Sequence, residues 1–296
     1  MRIGVALRMI EGSEARGRAV PRWEHIRDQA IAAEETGFDL VVLADAISEG
    51  GRGYWEAMTL AGALAAVTDR IGVAHSVINA PFREPAAVAR AADTLDEISG
   101  GRYTLGIGAG NTPEDYAMFG MDADPRFSRF AEAMEVITSL LHTGRVDVDG
   151  EFEHAHADWF SPRGPRPGGP SIVIAAGGPK MVDLTTRLAD GWNWWASAGE
   201  RPAHLGPIIE NLERGCERYG REIERSVDLY SFDPLGLIDD PPPGVVTGSA
   251  EEMAEPILAL QDFAVDEVRI DIFAEPPLQA EATRAMSGVV ELVHRA

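Results

Sequence analysis

The stretch PSIVIAAGGPKMVDL, residues 170–184, decides how this chain is read. Its apolar run at 172–176 has the length of a strand, stops at Gly177-Gly178-Pro179, and gives way to a helical pattern. A strand joined to a helix through two glycines gathers free backbone N–H groups and the positive helix end at one place. An anion binds there without a cluster of basic side chains. Lys180, in the first helical turn, is the only lysine in the chain; it adds a point charge or simply extends into solvent. Alone, the motif fits a phosphate loop or a plain tight turn, so its neighbours must decide.

Outward from this stretch, a short apolar strand followed by a longer helical pattern recurs. Strands are expected at 3–7, within FDLVVLAD (38–45), at 71–77, within YTLGIGAG (103–110), at 171–176, in GWNWW (191–195), in VDLYSF (227–232) and in DEVRIDI (266–272). Between them, Trp23, Ile26, Ala30 and Ala33 share one helical face that ends at Gly37, where a residue free to adopt positive φ is wanted. Val88, Ala91, Ala92, Leu95 and Ile98 repeat in the same way, as do Phe127, Phe130, Met134, Ile137, Leu140 and Leu141. Ser249 with Glu252 reads as a capped helix start. The regularity breaks at 142–169, where VDVDGEFEHAH suggests a hairpin and SPRGPRPGGP a loop. Because the alternation resumes at once, this is read as an insertion in a single domain spanning 1–296.

Eight strands with intervening helices in a chain of 296 residues fit a (β/α)8 TIM barrel, with an open doubly wound sheet as the rival. In a barrel the chemistry lies at the C-terminal ends of the strands. Candidate positions are therefore Asp45, 76–79, 108–111, 175–180, 193–195 and 231–233. Asp45 is notable as a polar group ending a buried strand. The insertions at 47–53 and 142–169 are expected on that face, over the site.

The net charge of −22 argues against nucleic acid or an anionic membrane as partner. No apolar run is long enough to cross a membrane, and the first residues lack a secretory signal pattern, which points to a cytoplasmic protein. The single cysteine, Cys216, lies in a helical pattern and reads as a buried structural thiol. GIGAGN (106–111) has the wrong glycine spacing for a dinucleotide fingerprint. His154 and His156 lack a third metal ligand nearby and read as a solvated pair. No nucleophile elbow or Cys-His pairing suggests covalent catalysis. Trp194 or Trp195, on opposite faces of one strand, could line a pocket for a planar ring.

Taken in order, GFDLVVLAD, IGVAHSVINAPFREPAAVAR, ISGGRYTLGIGAGN, RFSRFAEAMEVI, AAGGPKMVDLTTRLADGW and VTGSAEEMAEPILAL resemble the bacterial luciferase-like monooxygenase superfamily. The resemblance is nearer to its branch that uses the deazaflavin F420, and it covers nearly the whole chain. It implies a (β/α)8 barrel and a cofactor phosphate held by Ala176, Gly177, Gly178 and Pro179. It also implies a bulged third strand with a non-proline cis peptide at Ser76-Val77, and cofactor contacts from Asn79, Ala109 and Gly110. Asp45 matches the family's strand-two aspartate. Where the F420-dependent sugar-phosphate dehydrogenases carry a catalytic histidine and glutamate, this chain has Ala46 and Asn111, and their phosphate-reading lysine has no counterpart near Ala198. Sugar-phosphate oxidation is therefore not expected.

The resulting expectation is an F420-dependent oxidoreductase moving hydride between deazaflavin C5 and a small organic substrate. Asp45 and Asn111 would hydrogen-bond ring or substrate, Trp194 would shape the pocket, and the proton would come from Asp45, His75 or water. The alternatives are a two-component monooxygenase using FMN reduced by a partner reductase, and a flavin- or F420-binding protein with little turnover. A homodimer is implied by the resemblance alone.

Overall fold

The computed structural model describes residues 1–9, 21–49, 52–158, 160–161, 164–197, 202–242 and 244–296. Eight parallel strands carry the architecture: β1 (Arg2–Ala6), β2 (Leu40–Leu43), β3 (Gly72–His75), β4 (Tyr103–Gly108), β5 (Ser171–Ala175), β6 (Gly191–Ser197), β7 (Glu224–Phe232) and β8 (Glu267–Ile272). Each pairs with its neighbours in sequence, and β8 returns to β1 with Val5 opposite Ile270, so the sheet closes into a (β/α)8 barrel. An open sheet would leave two strands unpaired on one side, and none is. Residues Ile78–Asn79 resume pairing beside β4 beyond a break at the end of β3.

The strands form where sequence reading expects them because their apolar runs are covered on both faces. One set of side chains, including Ile3, Val5, Val41, Leu43, Ile107, Ile174 and Ile270, packs outward against the helices. Leu40, Val42 and Ala74 form a small separate cluster of the opposite parity, inside the barrel. Gly4 belongs to the inward set, and a Cβ there would stand 2.7 Å from Leu40 Cγ. Beside Val173 on β5, the interior from β6 to β8 is polar, with Asn193, Ser226, Asp228, Glu267 and Arg269 turned toward the barrel axis.

Among the described residues, ten α-helices surround the barrel: α1 (Trp23–Thr36), α2 (Ala57–Val67), α3 (Pro85–Ser99), α4 (Pro113–Phe119), α5 (Arg126–Thr143), α6 (Pro179–Leu188), α7 (Leu205–Tyr219), α8 (Ala250–Leu258), α9 (Gln279–Ala285) and α10 (Ser287–Arg295). Gly37 ends α1 at φ 93°, in the left-handed conformation expected of it. Ser249 and Glu252 form the reciprocal capping box that starts α8. The short α4 departs from the expected pattern: Pro113, two residues beyond GIGAGN, opens a helix that is too brief to show an apolar period.

The segment at 142–169 divides. Its hairpin (Val146–Asp149 with His154–Ala157) runs back along α5, where Glu132 accepts N–H groups from Glu151, Phe152 and Glu153. Its tip thereby approaches the rim at the C-terminal end of the barrel. The following residues lie at the other end, where Gly164 and Arg166 bond Asp93, Asp96 and the carbonyl of Tyr103 at the start of β4. His154 and His156 pair with Asp149 and Asp147 at 2.7 Å, and no metal-holding cluster occurs among the described residues. Cys216 is half-buried, and burial pushes its thiol pKa up. Among the described residues no helix is long and apolar enough to cross a membrane.

Candidate active site

At the mouth, β5 ends in Ala175 and the chain turns through Ala176, Gly177 and Gly178 into α6. The Ala176 N–H already donates to the Asn193 carbonyl (3.2 Å), and its own carbonyl accepts the Trp192 indole N–H (2.7 Å). Ala176 is therefore fixed as a strut, and its amide is not available to a phosphate. The donors left to an anion are the amides of Gly177 and Gly178 and those of the first turn of α6, since Pro179 has none. A Cβ at Gly177 would stand 2.5 Å from two ring carbons of Trp194, so only glycine lets the loop close onto that indole. Trp194 therefore shapes the Gly177-Gly178 loop from the helix side of β6. Trp195, of opposite parity, faces the mouth and is half exposed, with the His204 ring 5.7 Å away. Lys180 is exposed, its Nζ 5.7 Å from the Phe127 ring centroid. Lys180→Ala is accordingly expected to weaken cofactor binding only about threefold, as for a solvated point charge, in an equilibrium titration.

Between β3 and its continuation, the Ser76-Val77 peptide is cis, as the resemblance implied. Gly108 makes room for the bulge, since a Cβ there would meet Val77 Cγ2 at 2.9 Å. Beyond it Asn79 is buried and fully engaged. Its N–H donates to Asp45 (2.7 Å), its side-chain amide donates to Thr112 (3.1 Å), and its carbonyl oxygen accepts the Tyr116 hydroxyl (2.6 Å). Gly110, at φ 86°, sits against that Tyr116–Asn79 bond, where no Cβ fits. Ala109 is half-buried beside it, and Asn111 is exposed at the rim.

Asp45 is not a free carboxylate. Arg83 grips it in a two-pronged ion pair at 2.6 and 2.9 Å, and the Asp45 side chain is only 3% exposed. Arg83 also bonds Glu56; although burial pushes the Glu56 carboxyl up, hydrogen bonds from Thr59 and Arg83 hold it at about 2. The same two carboxylates push the Arg83 pKa up against the effect of burial. Asp45 thus anchors the Asn79 backbone and is badly placed to deliver a proton.

His75 is equally unsuited to that role. Strand alternation turns Ala74 into the barrel and His75 out toward the helices, where it is fully buried with Nδ1 2.9 Å from the Tyr103 hydroxyl. Burial lowers its pKa to about 4. Between pH 6.5 and 4 the unfolded chain binds a proton that the folded chain refuses, so stability falls as pH drops through that window. A His75→Phe variant should show a shallower loss of melting temperature over that range; an unchanged slope would clear His75 of the linkage.

Sequence reading overlooked Asp228. It lies on the inward face of β7, with Ser76 Oγ at 2.6 Å and Asn193 Nδ2 at 3.2 Å. It is half-buried, whereas its neighbours Ser226 and Asn193 are buried. Burial pushes its carboxyl pKa up, against the pull of Arg269 and of the bonds from Ser76 and Asn193. The mouth therefore combines a glycine loop at a helix start, a bulged strand end and a polar floor. The vicinity of Ala198 lies outside the described residues.

These features define a (β/α)8 barrel whose C-terminal face carries a glycine turn at a helix start, a bulged strand end and an exposed indole. A family model described as luciferase-like monooxygenase matches residues 1–233, and the chain belongs to that family. The F420-dependent glucose-6-phosphate dehydrogenase of Amycolatopsis mediterranei is 29% identical over 219 residues, covering 70% of this chain and 64% of that protein. Pyrimidine monooxygenase RutA of Methylorubrum extorquens (strain ATCC 14718) is 32% identical over 228 residues, covering 73% of this chain and 61% of that protein. The matched stretch thus spans less than two thirds of either relative. An F420-dependent secondary alcohol dehydrogenase bound to an F420-acetone adduct superposes with TM-score 0.78 at 17% identity, over 97% of this chain and 98% of that one. A riboflavin lyase with modified FMN and riboflavin gives TM-score 0.80 at 15% identity, over 100% of this chain and 92% of that one. At such identities these two structures speak for the fold.

Proposed function

We propose that the protein is an F420-dependent oxidoreductase acting on a small organic molecule, a cytoplasmic homodimer whose residues 1–296 form one barrel domain. The observation that carries this reading is the Gly177-Gly178 loop. Its amides and helix end can hold a phosphate with no basic cluster, in a protein of net charge −22, and the indole of Trp194 fills the space a Cβ would need. F420 and FMN both carry a phosphate and a planar ring, and the residues at the mouth fit both. The likeness of AAGGP to the F420 branch, and the F420-dependent dehydrogenase among the relatives, favour F420.

When bound, the deazaflavin would supply or accept the hydride; the chain's own residues bind and orient it. Gly177 and Gly178 hold the phosphate. The Ser76-Val77 bulge and the Asn79–Asp45–Arg83 tether set the wall behind the ring. Trp195 offers an aromatic face at the rim, and Asn111 an exposed amide. Ala46 and Asn111 supply neither base nor acid, which argues against the sugar-phosphate reaction of that relative and for a substrate whose proton comes from water.

The family's description and the FMN-bound structure favour a second reading, an FMN monooxygenase fed by a partner reductase. Purification from a host that makes both cofactors separates the two. F420 is expected in the mass spectrum and absorbance of the bound small molecule; FMN in its place, with oxygen uptake on reduction, would establish the second.

A further inference from the structure

Beneath the bulge, the barrel interior holds a chain of hydrogen bonds whose direction is fixed at one end by the backbone. Ser226 Oγ donates its single proton to the Trp192 carbonyl (3.1 Å), so it can only accept from Asn193 Nδ2 (3.1 Å). That same amide group donates to Asp228 Oδ1 (3.2 Å). The other carboxylate oxygen, Oδ2, accepts the Ser76 hydroxyl at 2.6 Å. Arg269 and Glu267 of β8, paired at 2.6 Å, complete the charged surroundings of Asp228. Asn193 Oδ1, at 3.3 Å from Ser76 Oγ, is a second and longer acceptor for that hydroxyl. Either acceptor turns the Ser76 proton away from the mouth, and only lone pairs of its oxygen remain for a ligand.

We infer that Asp228 is a positioning residue that acts through Ser76, making the floor of the mouth a hydrogen-bond acceptor for the N–H of a ring imide. The inference rests on the reading that a deazaflavin or flavin lies over the bulge; both rings carry an N–H between two carbonyls. Burial disfavours the Asp228 carboxylate, so the free protein would be no less stable without the charge. Protonation of Asp228 places the proton between it and Ser76, so the Ser76 hydroxyl loses its short acceptor and is shared between the long contact to Asn193 Oδ1 (3.3 Å) and the mouth, where it becomes a donor. Ionised Asp228 binds the ring, and protonated Asp228 opposes it.

Asp228→Asn tests this. The new amide must turn its oxygen to Asn193 Nδ2, so its nitrogen donates to Ser76 and displaces the hydroxyl proton, for which only the 3.3 Å contact to Asn193 Oδ1 then competes with the mouth. Titration with F420 and with FMN, followed by fluorescence, should show a Kd raised about tenfold or more, with a melting temperature equal to or above that of the wild type. In the wild type, Kd should rise as pH falls toward the Asp228 range; in Asp228→Asn it should be flat. In a Ser76→Ala background, Asp228→Asn should have no further effect. The inference is overturned if Asp228→Asn binds as the wild type does, if its loss persists without Ser76, or if its melting temperature falls alongside affinity. If the wild type binds neither cofactor, the functional reading fails first and takes this one with it.

Discussion

Gly177→Leu should raise the Kd for the cofactor by on the order of 100-fold, about 2–3 kcal/mol, while leaving the barrel folded. The cause is steric and local. Any side chain at this position begins with a Cβ 2.5 Å from Cη2 and Cζ2 of Trp194. The indole cannot move aside easily, since its strand is paired on both edges and the loop's own Ala176 is tied to Asn193 and Trp192. The loop must therefore lift, and with it the two amides that an anion needs. Gly178 is the internal control. It has φ −89° and open space where a Cβ would go, so Gly178→Ala should cost far less. Isothermal titration of the three proteins checks the ranking; if Lys180→Ala or Gly178→Ala proves the worst, the loop does not hold the phosphate as described.

Arg83→Ala should destabilise the fold by about 3–5 kcal/mol, because it leaves the Asp45 carboxylate buried with one N–H for company. The pair is costly to break from one side and cheap to lose from both. Asp45→Asn combined with Arg83→Met should thus recover much of the loss. Denaturant melts of the two single variants and the double variant measure this directly. Near-additive losses would mean that Asp45 is solvated in solution and free for other work. Arg83→Lys should fall between, since an ammonium cannot reproduce the two-pronged contact with Asp45 while also meeting Glu56.

Most of the barrel was legible because its strands are continuous apolar runs or strict alternations, both set by burial. The Gly177-Gly178 turn into α6 was legible because glycine placement and helix starts are local properties. Partners distant in sequence were harder to see. Asp45 and Arg83 are 38 residues apart, and nothing in either segment says that the carboxylate is neutralised. His75 was misassigned by parity, since its position one residue before the bulge turns it to the helix side, where alternation from Val73 would have put it. Asp228 had a readable signal that went unused. Ser226, Asp228, Glu267 and Arg269 alternate with Val227, Leu229, Val268 and Ile270, a pattern usually taken for one wet face. In a closed barrel there is no outer wet face for these strands, so such alternation means a polar interior. The same parity separates Trp194, behind the loop, from Trp195, at the mouth.

We propose that the mouth receives a deazaflavin through Gly177, Gly178 and the bulge at Ser76-Val77. The most direct test is a side-by-side equilibrium titration of the purified protein with F420 and with FMN. Tighter binding of F420, lost in Gly177→Leu and kept in Lys180→Ala, is the predicted result; tight FMN binding with no response to F420 would contradict it.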